Sequence, residues 1–381
     1  MIAYVEPIAL ALGTVLVVLV FWDLFESIVV PRPTPGWFRI GRYVLRSSWR
    51  VVRAAGRGRD GRPRDTLLGL YAPAVTLVLL GVWLLVMIVG YGLILFGLRG
   101  QLRPDPGDLG TATYFAASSV LTLGGDFVAV GPAARVVVVA AAASGLGVVA
   151  LVVTFLFSLY GSYQRREVPV VTLQAAAGAP PSAITLLETY ARLDLVGRLP
   201  DFFAEWERWA AEVLDTHVAY PLLGFFRSSH DNLSWISALG TVLDAASLVM
   251  TTTEGVPRGE ADLFRRVGSH LVEDITNLGF RSRSTARPDP AANRIGVDRA
   301  AFDQARARLA AAGYALAPAD GAWQAFDAAR GEYASRLEAM AYYWATPTNS
   351  WLDSGAIPRS PAHTPDDTPG DVSGADSDTA T

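Results

Sequence analysis

The 381-residue sequence has no cysteine, which excludes disulfides, thiolate metal sites and cysteine nucleophiles. It has no lysine either, so every basic side chain other than histidine is arginine. Charge of both signs is scarce: 18% of residues are charged against 51% hydrophobic, and four are histidine. With a mean hydropathy of +0.30, the chain is too apolar for a soluble enzyme of this length, and a membrane protein is expected. Two further absences narrow the function. No G-x-G-x-x-G follows an apolar strand, so no dinucleotide site of that kind is expected. No converging set of catalytic residues is present, which points away from an enzyme.

What the sequence does have is three long apolar runs: Ile8 to about Val30, Leu67 to about Leu98, and about Ala133 to Tyr160. Each meets the roughly 20 residues a helix needs to cross a hydrocarbon core of about 30 Å. The first lacks a basic leader and a small-residue cleavage site and runs on to Pro31 and Pro33, so it is expected to be retained. Between the first two runs lies a segment carrying Arg32, Arg39, Arg42, Arg46, Arg50, Arg53, Arg57, Arg59, Arg62 and Arg64. By the positive-inside rule that segment is cytoplasmic, as is the QRRE at 164–167, which predicts an outside N-terminus and a cytoplasmic C-terminus in the cell membrane. Trp37, Ile40, Val44, Trp49, Val51 and Val52 recur among the arginines at helical spacing. They predict either an interfacial helix near anionic lipid or a segment that serves topology and solubility alone. Asp23 and Glu26, at the inner end of the first run, are expected at the interface beside Arg32.

The segment between the second and third runs reads TATYFAASSVLTLGGDF over residues 111–127. A short helix is expected to start near Asp108 or Thr111 and to end before Gly124-Gly125. The order of outer helix, short helix with loop, and inner helix resembles the pore module of the potassium-channel superfamily, which reads Y-F-x-x-x-T-x-T-T-V-G-Y-G-D at its pore helix and filter. Tyr114, Phe115, Thr122, Leu123 and Gly124 fall in register, Ser119 stands for a threonine, and Leu121 departs from a hydroxyl position. After Gly124 this chain continues directly with Gly125-Asp126. Either no residue is missing and a carboxylate enters the path, or the aromatic is deleted and Gly125-Asp126 matches Gly-Asp; the deletion is preferred because Phe127 to Val130 then continues the apolar pattern.

The resemblance covers roughly residues 67–163. It implies an all-α membrane protein with three transmembrane helices and a re-entrant pore helix (111–121) and filter (122–126), in a homotetramer. Carbonyls of Leu123, Gly124 and Gly125 would line the filter, Thr122 would supply the innermost oxygen, and Asp126 would sit at the outer mouth. The pore helix would aim its C-terminal carbonyls at the cavity. The permeant ion implied is potassium, with sodium as the alternative, and no other metal or cofactor is expected. In the inner helix (133–163), Ser144, Gly145 and Gly147 suggest either a hinge or a close-packing point.

From residue 164 the composition turns soluble, and an α-helical cytoplasmic domain is expected over 164–346. Ser182 is an expected N-cap, and Phe202, Trp206, Trp209 and Val213 follow helical spacing. Further helices are expected over Ile236–Met250, Leu263–Leu278, Phe302–Leu309 and Trp323–Trp344. His217 lies on the apolar face and is expected as a packed core histidine; Ser229-His230-Asp231 is expected in a loop, since adjacent residues cannot form a catalytic triad. The tail from about Pro347 is expected to be disordered. Nothing points to nucleic acid. The leading expectation is a tetrameric pore-loop cation channel; the alternative is a non-conducting pore-derived scaffold or sensor that works through the helical domain.

Overall fold

The computed structural model describes residues 2–30, 40–56, 62–228, 233–280, 297–346 and 351–352. The chain is mostly helical, and three of its helices are long and apolar enough to cross a membrane. The first, α1 (Ile2–Leu24), passes into a π-helical turn at Phe25–Val29. Next come α2 (Ile40–Gly56) and α3 (Arg62–Gly97). Helices α1 and α3 pack closely through glycine: a Cβ on Gly13 would lie 2.4 Å from the Gly90 carbonyl oxygen. At their outer ends Arg99 Nε donates to Glu6 Oε1 at 2.8 Å.

A two-residue strand β1 (Leu102–Arg103) leads into α4 (Leu109–Val120), which Asp108 caps by accepting the Thr111 amide at 2.9 Å. Strand β2 (Val128–Ala129) pairs antiparallel with β1, with Leu102 opposite Ala129. Then α5 runs unbroken from Pro132 to Ala177. Its 46 residues span about 69 Å, more than twice the hydrocarbon thickness. The expected inner helix ended near residue 163; the drop in hydropathy there marks a change of surroundings, while the helix continues.

Beyond it lie α6 (Ala183–Arg192), α7 (Leu199–Ala219), α8 (Trp235–Thr251), α9 (Gly259–Phe280), α10 (Arg299–Ala311), α11 (Ala319–Gly331) and α12 (Ala334–Trp344). Strand β3 (Thr253–Glu254) pairs with β4 (Ala315–Leu316). Ser182 does cap α6, accepting the Thr185 amide at 3.3 Å. Helix α8 is buried along nearly its whole length and forms the axis of the bundle. Two corrections arise here. The helix expected over Trp323–Trp344 is two, α11 and α12, broken where Tyr333 turns inward to donate to Asp244 Oδ1 at 2.5 Å. The tail expected to be free from Pro347 is tied in at Trp351 and Leu352. Their carbonyls accept the Ala183 and Ile184 amides at 2.9 and 3.2 Å, filling orphan donors of the first turn of α6. The Trp351 ring lies on Gly240, where a Cβ would come within 2.5 Å of it. The rest of the tail falls outside the described residues, as does Ser229-His230-Asp231.

Two apolar cores result. One joins α1, α3, α4 and the outer half of α5. The other joins the bundle to the inner ends of α3 and α5 and to Trp49 of α2. Helix α2 exists as expected, yet Trp49 is buried against Tyr71 and Phe225, with ring centroids 4.9 and 5.1 Å away, and Arg53 Nη2 donates to the Tyr342 carbonyl at 3.0 Å. Asp23 is 1% exposed and enclosed by protein: Trp83 Nε1 donates to its Oδ2 at 2.7 Å and the Gly41 amide at 3.3 Å. Asp23 thus lies beside the start of α2; Arg32, expected beside it, lies outside the described residues.

Candidate functional site

Helix α4 is held between α3 and α5. Gly92 of α3 faces it, since a Cβ there would lie 2.7 Å from Thr113 Oγ1, and Gly145 of α5 lies directly against its last turn. A Cβ on Gly145 would fall 1.8 Å from the Val120 carbonyl oxygen. Gly145 is about 20 Å along α5 from Pro132, so the C-terminal end of α4 packs within the first third of this helix. Gly145 packs closely on α4, whereas Gly147 has open space around it. One turn away, Tyr91 of α3 bonds Ser144 at 2.7 Å, and the Ser144 hydroxyl donates to the Ala140 carbonyl at 2.6 Å.

The end of α4 is closed by its own chain. The Leu123 amide donates to the Ser118 carbonyl at 2.9 Å and the Thr122 amide to the Ser119 carbonyl at 3.0 Å. This is a Schellman cap with Thr122 in the left-handed position usually taken by glycine, at φ +54°. A β-branched residue there is strained by about 1–3 kcal/mol and persists only where its surroundings fix it. The cap also takes up carbonyls that the sequence suggested would point freely into a cavity; the Val120 carbonyl faces Gly145.

From Leu121 the chain must return to β2, which is paired beside the outer end of α3. The segment runs back along α4: a Cβ on Gly125 would lie 3.4 Å from Ser118 Cβ and 2.9 Å from the Phe127 ring. Phe127 stacks on Phe115 with centroids 4.3 Å apart and planes at 15°. Gly124 takes φ +75°. The five residues expected to form the filter and its mouth, Thr122, Leu123, Gly124, Gly125 and Asp126, thus lie on one stretch, and all of them are exposed in the single chain, Leu123 to 74%. A cavity of about 290 Å³ beside the segment is lined by Ser118, Ser119, Thr122, Gly125, Phe127 and Val138 among others.

A second cluster, absent from the sequence reading, ties α5 to the bundle. Arg166 is fully buried and all five of its N–H donors are used. Its Nε and Nη2 donate to Glu167 Oε1 at 3.0 and 2.8 Å, Nη1 to the Leu223 carbonyl at 2.8 Å and toward His217 Nε2 at 3.2 Å, and Nη2 to the Phe226 carbonyl at 2.8 Å. Trp209 Nε1 donates to the Arg166 carbonyl at 3.0 Å. His217 is the packed core histidine expected: its Nδ1 lies 2.8 Å from the Val213 carbonyl, so the proton sits on Nδ1 and Nε2 accepts from Arg166. Burial first, and then the adjacent guanidinium, push its pKa down to about 3. Arg166 had been read only as a topology charge, and its neighbours Arg165 and Glu167 in the QRRE segment gave no sign of which arginine would be buried.

Among the described residues no group of three or more histidine, aspartate or glutamate side chains could hold a metal ion. No protein-family model matches the chain, and neither the curated proteins nor the solved structures include a match to it.

Proposed function

We propose that this protein is a homotetrameric pore-loop channel for monovalent cations, with potassium as the principal ion. One observation carries the reading. The non-helical backbone of Leu121 to Asp126 is exposed in the single chain, and the helix end that leads into it packs on Gly145, some 20 Å along a helix long enough to span a membrane. Backbone polar groups in lipid must be satisfied, and irregular backbone at that depth is tolerated only where protein buries it or water lines it. Copies of the same chain around a central path supply both conditions, and a closed cyclic assembly is the economical way to do so. In this reading the carbonyls of Leu123, Gly124 and Gly125 replace water around the ion, Thr122 adds the innermost oxygen, and Asp126 draws cations to the outer mouth.

The arginine distribution supports an N-terminus outside and a cytoplasmic bundle, with anionic lipid near the arginine-rich 32–64 segment. The test is flux. Purified protein in potassium-loaded liposomes is expected to release potassium above the rate of empty vesicles. Absence of flux under either a potassium or a sodium gradient would contradict the channel reading and favour a scaffold acting through its cytoplasmic helices, for which the extensive packing of α5 into the bundle is the supporting feature.

A further inference from the structure

Gly124 and Gly125 together make the return segment the least constrained backbone of this region, because neither carries a Cβ to limit its dihedral angles. The sequence pattern has no aromatic between them to pack behind the segment. The structure provides an aromatic from elsewhere. Two residues after Gly125, Phe127 turns back so that two of its ring carbons stand 2.9 Å from where a Gly125 Cβ would be. Its other face is stacked on Phe115. Phe115 is 3% exposed and fixed in the core on α4. The ring of Phe127 is therefore a wedge between Gly125 and a rigid helix. At the opposite end the Schellman cap anchors Thr122 and Leu123 to Ser119 and Ser118. Gly124, Gly125 and Asp126 lie between those two anchors.

We infer that Phe127 is a positioning residue for ion discrimination: it backs Gly125 and so holds that residue's carbonyl at a fixed distance from the conduction path without touching the ion. The inference rests on the conducting reading above. A ring of carbonyls distinguishes ions of similar charge through its diameter, its number of oxygens and its stiffness. Removing the wedge leaves the number of carbonyls unchanged and frees their positions. Discrimination should then fall while conduction persists.

The experiment compares the wild-type chain with Phe127→Ala, Phe127→Leu and Phe127→Tyr in liposomes, reading the potassium-to-sodium permeability ratio alongside oligomeric state by native mass measurement. Phe127→Ala is expected to keep assembly and potassium flux while its ratio drops toward unity by a factor of about two to ten, the weight of one aromatic pair. Phe127→Tyr, which keeps the ring, should stay near wild type, with Phe127→Leu between. If Phe127→Ala fails to assemble, the Leu and Tyr variants decide in its place. An unchanged ratio in the Ala and Leu variants, or a wild-type ratio already at unity, overturns the role of Phe127 while leaving conduction intact. A wild-type protein that passes neither cation overturns the conducting reading and this inference with it.

Discussion

The segment Leu121 to Asp126, beside Gly145, and the cluster around Arg166 meet α5 about 30 Å apart along its axis and differ in one respect that orders the whole molecule. Around Arg166 every donor of a buried guanidinium has its acceptor inside one chain. Along Leu121 to Asp126 every residue is exposed, and the internal bonds stop at Leu123. The first region is complete in a single copy; the second is held from behind by Gly145, Phe115 and Phe127 and is open in front. A chain that fixes one face of an irregular segment so closely, and leaves the other bare, is built for something on that other face. The 46-residue α5 links the two, so a shift of the bundle at Arg166 is carried along a continuous helix to Gly145 and the end of α4.

The largest effect should come from Arg166. Arg166→Met leaves the Glu167 carboxylate and the Leu223 and Phe226 carbonyls buried without donors, at a cost of about 3–5 kcal/mol. Thermal unfolding in detergent should show the bundle losing stability. A variant as stable as wild type would break the contrast between a complete joint and an open segment.

A comparable loss should follow from deleting Trp351. Truncation after Thr346 empties the space on Gly240 and uncaps α6, costing about 3–5 kcal/mol as for loss of a core tryptophan. Truncation after Leu352 should leave the melting temperature unchanged. Equal stability of the two would show that Trp351 and Leu352 are dispensable.

Smaller in stability, but aimed at the pore end, is Gly145→Val. The added side chain must push α5 from the Val120 carbonyl, an overpacking of about 1–3 kcal/mol, and liposome flux should be lost. Gly147→Ala, in open space, should retain both stability and flux. If the two behave alike, the close packing of α4 on α5 is not what fixes the segment.

Smallest at neutral pH, and growing only on acidification, is the effect of His217. Below pH about 6.5 the unfolded chain takes up a proton that the folded His217 refuses until about pH 3. Stability should therefore fall as pH drops through that window and be flat above it, with a slope of up to about 1.4 kcal/mol per pH unit from this group. In His217→Gln, which keeps an acceptor for Arg166 without titrating, that component of the slope should vanish.

Much of this architecture was legible in local sequence. Apolar runs marked the three long helices, Ser182 and Asp108 marked helix starts, and spacing marked α8, α9 and α10. The residues of the candidate site were legible as a contiguous motif. What local pattern could not record was partnership across the chain. Trp83 donating to Asp23 joins residues 60 positions apart. The Ser182 hydroxyl reaches Leu352 across 170. Arg166 looked like one more inside charge because its acceptors, the Leu223 and Phe226 carbonyls, leave no mark in sequence. Phe127 read as the start of an apolar continuation; only the fold turns it back onto Phe115. The strain at Thr122 was hidden for a different reason, since nothing in a threonine codon signals that the helix cap will place it at positive φ.

The central claim is that Leu123, Gly124 and Gly125 face a cation path shared between copies of the chain. It is tested most directly by crystallising the protein in thallium, a heavy mimic of potassium, and locating the ion by anomalous scattering. The account predicts peaks on a fourfold axis within coordination distance of the Leu123, Gly124 and Gly125 carbonyls, inward of Asp126. A fourfold assembly with no ion on that axis, or an assembly in which these residues face lipid or a different subunit surface, would contradict it.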